Sequence, residues 1–237
     1  MSRTREPLRI AVAQPVCVSY DVAVNARTHA AAVRAAGARV VVFPELSLTG
    51  YELDAPAVAV DDPRLRPLVE ACAEADAVAL IGAPIDGEAG RSHIAMLAVT
   101  HRGASVAYRK MWLGAEEAQR FSPGDQPAVF AVDGWRLGLA ICKDLGIPKH
   151  AAETAALGID AYLAGILESA DAAAVQQERA LRVVRDHQVW VALASFAGST
   201  GGGYAQAAGC SAIWTASGVV VAQAGREPGA IARATLS

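Results

Sequence analysis

The chain has 237 residues, a formal charge of −3, 53% hydrophobic residues and 19% charged ones. That balance excludes a disordered chain and is long enough for a substantial core. The charges are spread without a basic patch to follow a phosphate backbone, and no apolar run reaches membrane-spanning length, which argues against nucleic-acid and membrane partners.

In chain order, Leu8–Gln14 reads as a first strand behind the polar start Met1–Pro7, expected to fray. Asp21–Ala36 reads as a helix, with Val24, His29, Ala32 and Val33 at helical spacing and Gly37 as its C-cap. Arg39–Phe43 is a β-branched run that predicts a buried strand stopping at Pro44-Glu45. Glu45 therefore falls at the C-terminal end of a strand, where open α/β folds place ligand sites. Leu46–Tyr51 reads as a loop, Pro63–Ala75 as a helix and Ala77–Pro84 as a strand. Ser92–Val99 and Ala104–Tyr108 pair across the turn His101-Arg-Gly103, and Lys110 follows that hairpin.

Met111–Gly124 reads as a loop or short helix carrying Glu116 and Glu117. Ala128–Val132 and Trp135–Cys142 form a hairpin turned at Asp133-Gly134. His150–Leu157 is a helix closed at Gly158, Ala161–Leu167 a strand, Ala172–His187 an amphipathic helix and Val189–Ser195 a strand. Gly198–Gly203 reads as a mobile surface loop, because it lacks the Lys-Ser/Thr of a P-loop and the spacing of a dinucleotide fingerprint. Gly209–Gln223 closes the chain as a hairpin turned at Ser217-Gly218. No linker, repeat or change of composition divides these elements, so residues 1–237 read as one domain.

Cys17, Cys72, Cys142 and Cys210 lie far apart without a CxxC pair, and the five histidines are scattered, so no metal site is expected. A core-rich chain without a signal peptide predicts free thiols and a cytoplasmic setting. Three strands end in reactive groups: Glu45, Lys110 and Cys142. A single such residue is ordinarily core or solvated surface, but the three together make a set for acyl transfer. A free thiol is a weak nucleophile until a base or cation activates it. Glu45 suits a general base and acid. Lys110, with the backbone N–H of Lys143, suits an oxyanion.

Phe43-Pro-Glu45 with Leu46-Ser-Leu-Thr-Gly-Tyr51, Tyr108-Arg-Lys110-Met-Trp-Leu113 and Leu139-Ala-Ile-Cys142-Lys-Asp144 resemble, in order and spacing, the three motifs of the nitrilase superfamily of carbon–nitrogen hydrolases. The similarity runs from near Arg9 to about Ala232. The resemblance implies an α/β four-layer α-β-β-α sandwich, a homodimer or larger homo-oligomer, no cofactor, and hydrolysis of a small-molecule amide-type substrate through a thioester. It makes Cys142 the nucleophile, Glu45 the base and acid, and Lys110 the oxyanion stabiliser. Glu117, four residues before Phe121-Ser-Pro-Gly124, becomes a second glutamate that positions the lysine, with Glu116 as the one-residue alternative. Tyr51, within the glutamate motif, is a candidate substrate contact.

After Cys142 the chain keeps Asp144 and Pro148 but lacks the arginine, aromatic and glutamate common in relatives, so the pocket walls are remodelled. Lys143 or Arg185 would meet a carboxylate-bearing substrate, and Glu168 an amine-bearing one. An aliphatic amidase is the favoured expectation, with carbamoyl-amine or nitrile hydrolysis as alternatives and a non-catalytic binding module as the reading from another class.

Overall fold

The computed structural model describes residues 5–237; residues 1–4 of the polar start lie outside the described residues. The first half of the chain runs β1 (Leu8–Ala13), α1 (Val22–Ala36), β2 (Val40–Val42), α2 (Arg66–Glu74), β3 (Val78–Asp86), β4 (Ser92–Thr100) and β5 (Gly103–Arg109). The second half runs β6 (Ala128–Val132), β7 (Trp135–Ile141), α3 (Pro148–Ala156), β8 (Ala161–Ile166), α4 (Ala173–His187), β9 (Trp190–Ser195), β10 (Ala197–Gly198), β11 (Ala207–Ala208), β12 (Ala212–Trp214), β13 (Val220–Gln223) and β14 (Ile231–Leu236).

Twelve of the strands form two six-stranded mixed sheets built on one plan, and β10 and β11 pair separately as a two-stranded ribbon. One has the order β14-β1-β2-β3-β4-β5, with β1, β2 and β3 parallel; the other has the order β13-β12-β9-β8-β7-β6, with β7, β8 and β9 parallel. Side-chain alternation along these strands sorts the apolar residues into three layers. Ile10, Val12, Val40 and Val42 of the first sheet face Leu137, Leu139, Ile141 and Leu163 of the second. Ala11, Ala13, Val41 and Ile81 face outward onto α1 and α2. Ala140, Tyr162, Ala164, Val191 and Leu193 face outward onto α3 and α4. Three apolar layers separate four layers of structure, so the fold is an α-β-β-α sandwich.

Local chemistry sets the boundaries. Asp21 caps α1 by accepting from Val24 N at 2.9 Å, and Gly37 ends it in the left-handed region at φ 56°. Asp133 (φ 49°) and Gly134 (φ 81°) make the positive-φ turn between β6 and β7. Helix α3 begins at Pro148, two residues before the expected His150, because proline suits the first helical position. The strand β14, absent from the expected elements, pairs antiparallel with β1 along its whole length, from Leu8 opposite Leu236 to Ala13 opposite Ile231. The glycine-rich segment is not a free surface loop. Gly201 N donates to Gly50 O at 2.8 Å and Thr200 Oγ1 to the same oxygen at 2.8 Å, so it is docked on the turn that follows β2.

Candidate active site

The parallel strands β2 and β7 and the edge strand β5 deliver Glu45, Cys142 and Lys110 to one place between the sheets. Glu45 follows β2 in a tight turn whose next residue, Leu46, sits at φ 50°. Two glycines, one from each sheet, make room for that turn. A Cβ on Gly82 of β3 would lie 2.7 Å from the Glu45 carbonyl carbon. A Cβ on Gly165 of β8 would collide with the Phe43 carbonyl oxygen and come within 3.1 Å of Glu45 N. Gly165 is also paired with Ile141, the residue before Cys142, so one bare backbone position separates the carboxylate turn from the thiol's strand. Gly165→Ala is therefore expected to push Glu45 out of line and lower turnover at least about tenfold, with a stability loss of roughly 1–3 kcal/mol for overpacking. Steady-state kinetics beside a thermal melt checks this; unchanged kcat would show that the turn is not held by this approach.

Lys110 is the hub. Its Nζ donates to Glu45 Oε1 at 2.6 Å and to Glu117 Oε1 at 2.8 Å, and its side chain is 1% exposed. Glu117 lies on the short 3-10 turn Glu117–Gln119 and is held by two further donors, Gly114 N at 2.7 Å and the Tyr51 hydroxyl at 3.2 Å. Glu116 points away and is exposed. Of the two candidates, Glu117 is the one that is buried and bonded to Lys110. Glu45 differs from it: its Oε2 is buried and has no hydrogen-bond partner among the described residues.

Cys142 sits at φ 43°, in the left-handed region that side-chain-bearing residues rarely adopt, at the junction of β7 and the 3-10 turn Cys142–Gly146. The residue as a whole is half-buried, and its Sγ donates to Leu167 O at 3.3 Å. Burial pushes the Glu45 pKa up more strongly than the Lys110 ammonium pulls it down, and the Glu117 charge adds to the rise; the net value for Glu45 is raised to about 7. Burial is also the largest influence on the thiol, and the Glu45 charge adds to it; together they outweigh Lys110 and hold the Cys142 pKa well above its ordinary value. The cation alone does not create a thiolate. Burial works against the Lys110 charge as well, but Glu45, Cys142 and Glu117 outweigh it and keep the ammonium above its usual range.

Tyr51 is buried, meets Tyr204 edge-on at 5.7 Å and packs by Phe196 at 6.4 Å. A cleft of about 570 Å³ opens beside Tyr204, lined also by Glu116, Ser169, Asp171, Gly202 and Gln206. Lys143 is exposed, and its Nζ donates to Leu113 O at 2.6 Å. Glu168 is bound by the Arg179 guanidinium, and Arg185 pairs with Asp186 on the exposed side of α4. The charged side chains expected to select substrates are therefore all engaged elsewhere. Met111 and Leu113 of the lysine motif and Tyr204, which no motif marks, pack against the central core, as Cys142 does. The four cysteines are free, and among the described residues no group of three or more His, Cys, Asp or Glu is arranged to hold a metal ion. None of the described helices is long and apolar enough to cross a membrane.

The family model described as carbon-nitrogen hydrolase matches residues 9–237. An (R)-stereoselective amidase from Pseudomonas sp. is 27% identical over 203 residues, covering 84% of this chain and 73% of the relative. A hydrolase from Pseudomonas protegens is 32% identical over 165 residues, covering 66% of this chain, which spans 58% of that relative's length. Among solved structures, a cysteine-to-alanine mutant of the amidase from Nesterenkonia sp. AN1 in complex with butyramide superposes with a TM-score of 0.83 at 25% identity, over 97% of this chain and 90% of that one.

Proposed function

Because the chain belongs to the carbon–nitrogen hydrolase family of the nitrilase superfamily, we propose that residues 1–237 form one hydrolase domain that cleaves small neutral aliphatic amides through a thioester on Cys142. The observation that carries this reading is the free Oε2 of Glu45, a buried base with a pKa near neutrality beside a protonated thiol.

In the first half-reaction Glu45 takes the thiol proton as Sγ attacks the amide carbon. The oxyanion is met by Lys110 Nζ and by the backbone N–H of Lys143, which lies in the first turn after Cys142 and has no intrahelical acceptor. Collapse breaks the C–N bond, and Glu45 returns the proton to the leaving amine, which departs as ammonia. In the second half, Glu45 takes a proton from water, hydroxide adds to the thioester, and collapse releases the acid while the sulfur recovers its proton. Glu117 and Tyr51 act through Lys110, holding the ammonium where the oxyanion forms.

The substrate's lack of charge follows from the engaged side chains. Arg185 is paired with Asp186 and Glu168 is bound by Arg179, while Lys143, whose ammonium keeps its charge, is held on the exposed face at Leu113 O. Glu116 and Asp171 line the cleft beside Tyr204, so an anionic substrate entering there would meet two carboxylates. The reading also takes the protein as a cytoplasmic homodimer or larger assembly, whose size sedimentation would give.

The test is ammonia release from neutral amides, carboxylate-bearing amides, carbamoyl amines and nitriles. Neutral aliphatic amides are expected to be turned over with kcat/KM at least tenfold above their carboxylate-bearing counterparts. Turnover of only carbamoyl amines or nitriles would replace the substrate class. Silence across the panel, with Cys142 inert to iodoacetamide, would leave a binding module on the same scaffold.

A further inference from the structure

Behind the Cys142 turn runs a line of four polar side chains that the hydrolysis scheme leaves unused. Tyr162 of β8 meets His150 of α3 (Oη to Nδ1, 2.8 Å), and His150 meets Tyr108 of β5 (Nε2 to Oη, 2.9 Å). Tyr108 meets Asp144 (Oη to Oδ2, 2.7 Å). Tyr162, His150 and Asp144 are fully buried, and Tyr108 nearly so. Asp144 also accepts from Ile141 N on Oδ2 and from Trp112 N on Oδ1, each at 2.9 Å.

With His150 neutral, these contacts fix the direction of every proton. Backbone N–H groups can only donate, so both oxygens of Asp144 are acceptors and the Tyr108 hydroxyl must donate to it. The Tyr108 oxygen already receives Met111 N at 3.2 Å, and its remaining neighbour, His150 Nε2, must then carry a hydrogen. That leaves His150 Nδ1 as an acceptor for the Tyr162 hydroxyl. One arrangement, with His150 neutral, satisfies all four side chains, and burial favours it by disfavouring a charged imidazole.

The line ends where two catalytic segments meet. Trp112 lies two residues after Lys110, and Ile141 one residue before Cys142. Strands β5 and β7 belong to different sheets, so no backbone ladder sets the gap between lysine and thiol. We propose that Asp144 is a positioning residue that ties the Lys110 turn to the Cys142 turn, and that Tyr108, neutral His150 and Tyr162 hold its carboxylate in place. This rests on the reading of Lys110 and Cys142 as the reacting pair.

Three variants and one spectrum test it on the full-length protein. His150→Leu, which removes both links, is expected to lower kcat at least tenfold with KM within twofold. His150→Gln, which can both donate and accept, is expected to recover most of the loss. Tyr108→Phe, which keeps the ring in its packing, should reproduce the kcat loss if His150→Leu fails to fold. In ¹⁵N spectra at pH 7, the His150 ring should show hydrogen on Nε2 and none on Nδ1. Hydrogen on Nδ1, or unchanged kcat in both His150→Leu and Tyr108→Phe, would overturn the proposal. The ring spectrum does not depend on turnover, and residual turnover in Cys142→Ala would instead sink the catalytic reading itself.

Discussion

Cys142→Ser is expected to abolish amide turnover by about 10⁴-fold or more while leaving the melting temperature nearly unchanged. The fold has little stake in the sulfur: the residue as a whole is half-buried, and its side chain makes one weak hydrogen bond, to Leu167 O. Serine keeps the Cβ at φ 43°, so the strained turn is no worse off. The chemistry has everything at stake. The thiol is protonated at rest, because burial and the Glu45 charge hold its pKa up. Attack therefore depends on Glu45 taking the proton during the step, and a carboxylate with a pKa of about 7 is a far weaker match for a hydroxyl than for a thiol. Intact-mass measurement after mixing with a slow amide should show an acyl adduct on the parent protein and none on the variant. An adduct that survives in Cys142→Ala, which has no nucleophile at that position, would place the nucleophile elsewhere.

How much of this was legible in the sequence differs by residue, for physical reasons. The ends of β2 and β7 were readable because buried parallel strands are near-continuous apolar runs, and a Glu or Cys at their ends interrupts a clear signal. The helix α1 was readable at its caps, Asp21 and Gly37, but not in its polar core. Asn25 and His29 are fully buried there: Asn25 binds the backbone of Val18 and Leu48, while His29 binds Ser47 and stacks on Phe43. A helical period marks which face is inward but not which polar residues find partners. The choice between Glu116 and Glu117 needed the 3-10 turn, since adjacent residues on a loop have no period to separate them. Asp144 could be matched to a motif, yet its bonds to Trp112 and Tyr108 join residues more than 30 apart, which spacing cannot show. The strand β14 was missed although Ile231–Leu236 alternates: a short run holding Arg233 and Thr235 gains its stability from β1, at the other end of the chain.

Glu45→Gln is the variant in which stability and activity should separate most cleanly. Lys110 keeps Glu117 as its partner, and the amide oxygen can still accept from Nζ, so no unpaired charge is left behind. Activity should fall about 10³-fold, because an amide can neither take the thiol proton nor return one to ammonia. In the parent protein kcat/KM should rise through about pH 7 as Glu45 ionises, and the variant should lose that limb. Stability runs the other way. The folded-state pKa of Glu45 is raised from 4.5 to about 7, so its favourable contribution is complete below 4.5 and is lost as pH rises through 7. A shift of that size corresponds to roughly 3 kcal/mol. Parent and variant should therefore melt together near pH 4.5, and the variant should melt higher at pH 8. A gap of the same size at both pH values would mean that Glu45 is not the group titrating in the site. A variant less stable at pH 8 would mean that the carboxylate contributes to the fold as an ion pair, and that its placement is not the strained arrangement which its free oxygen and buried turn imply.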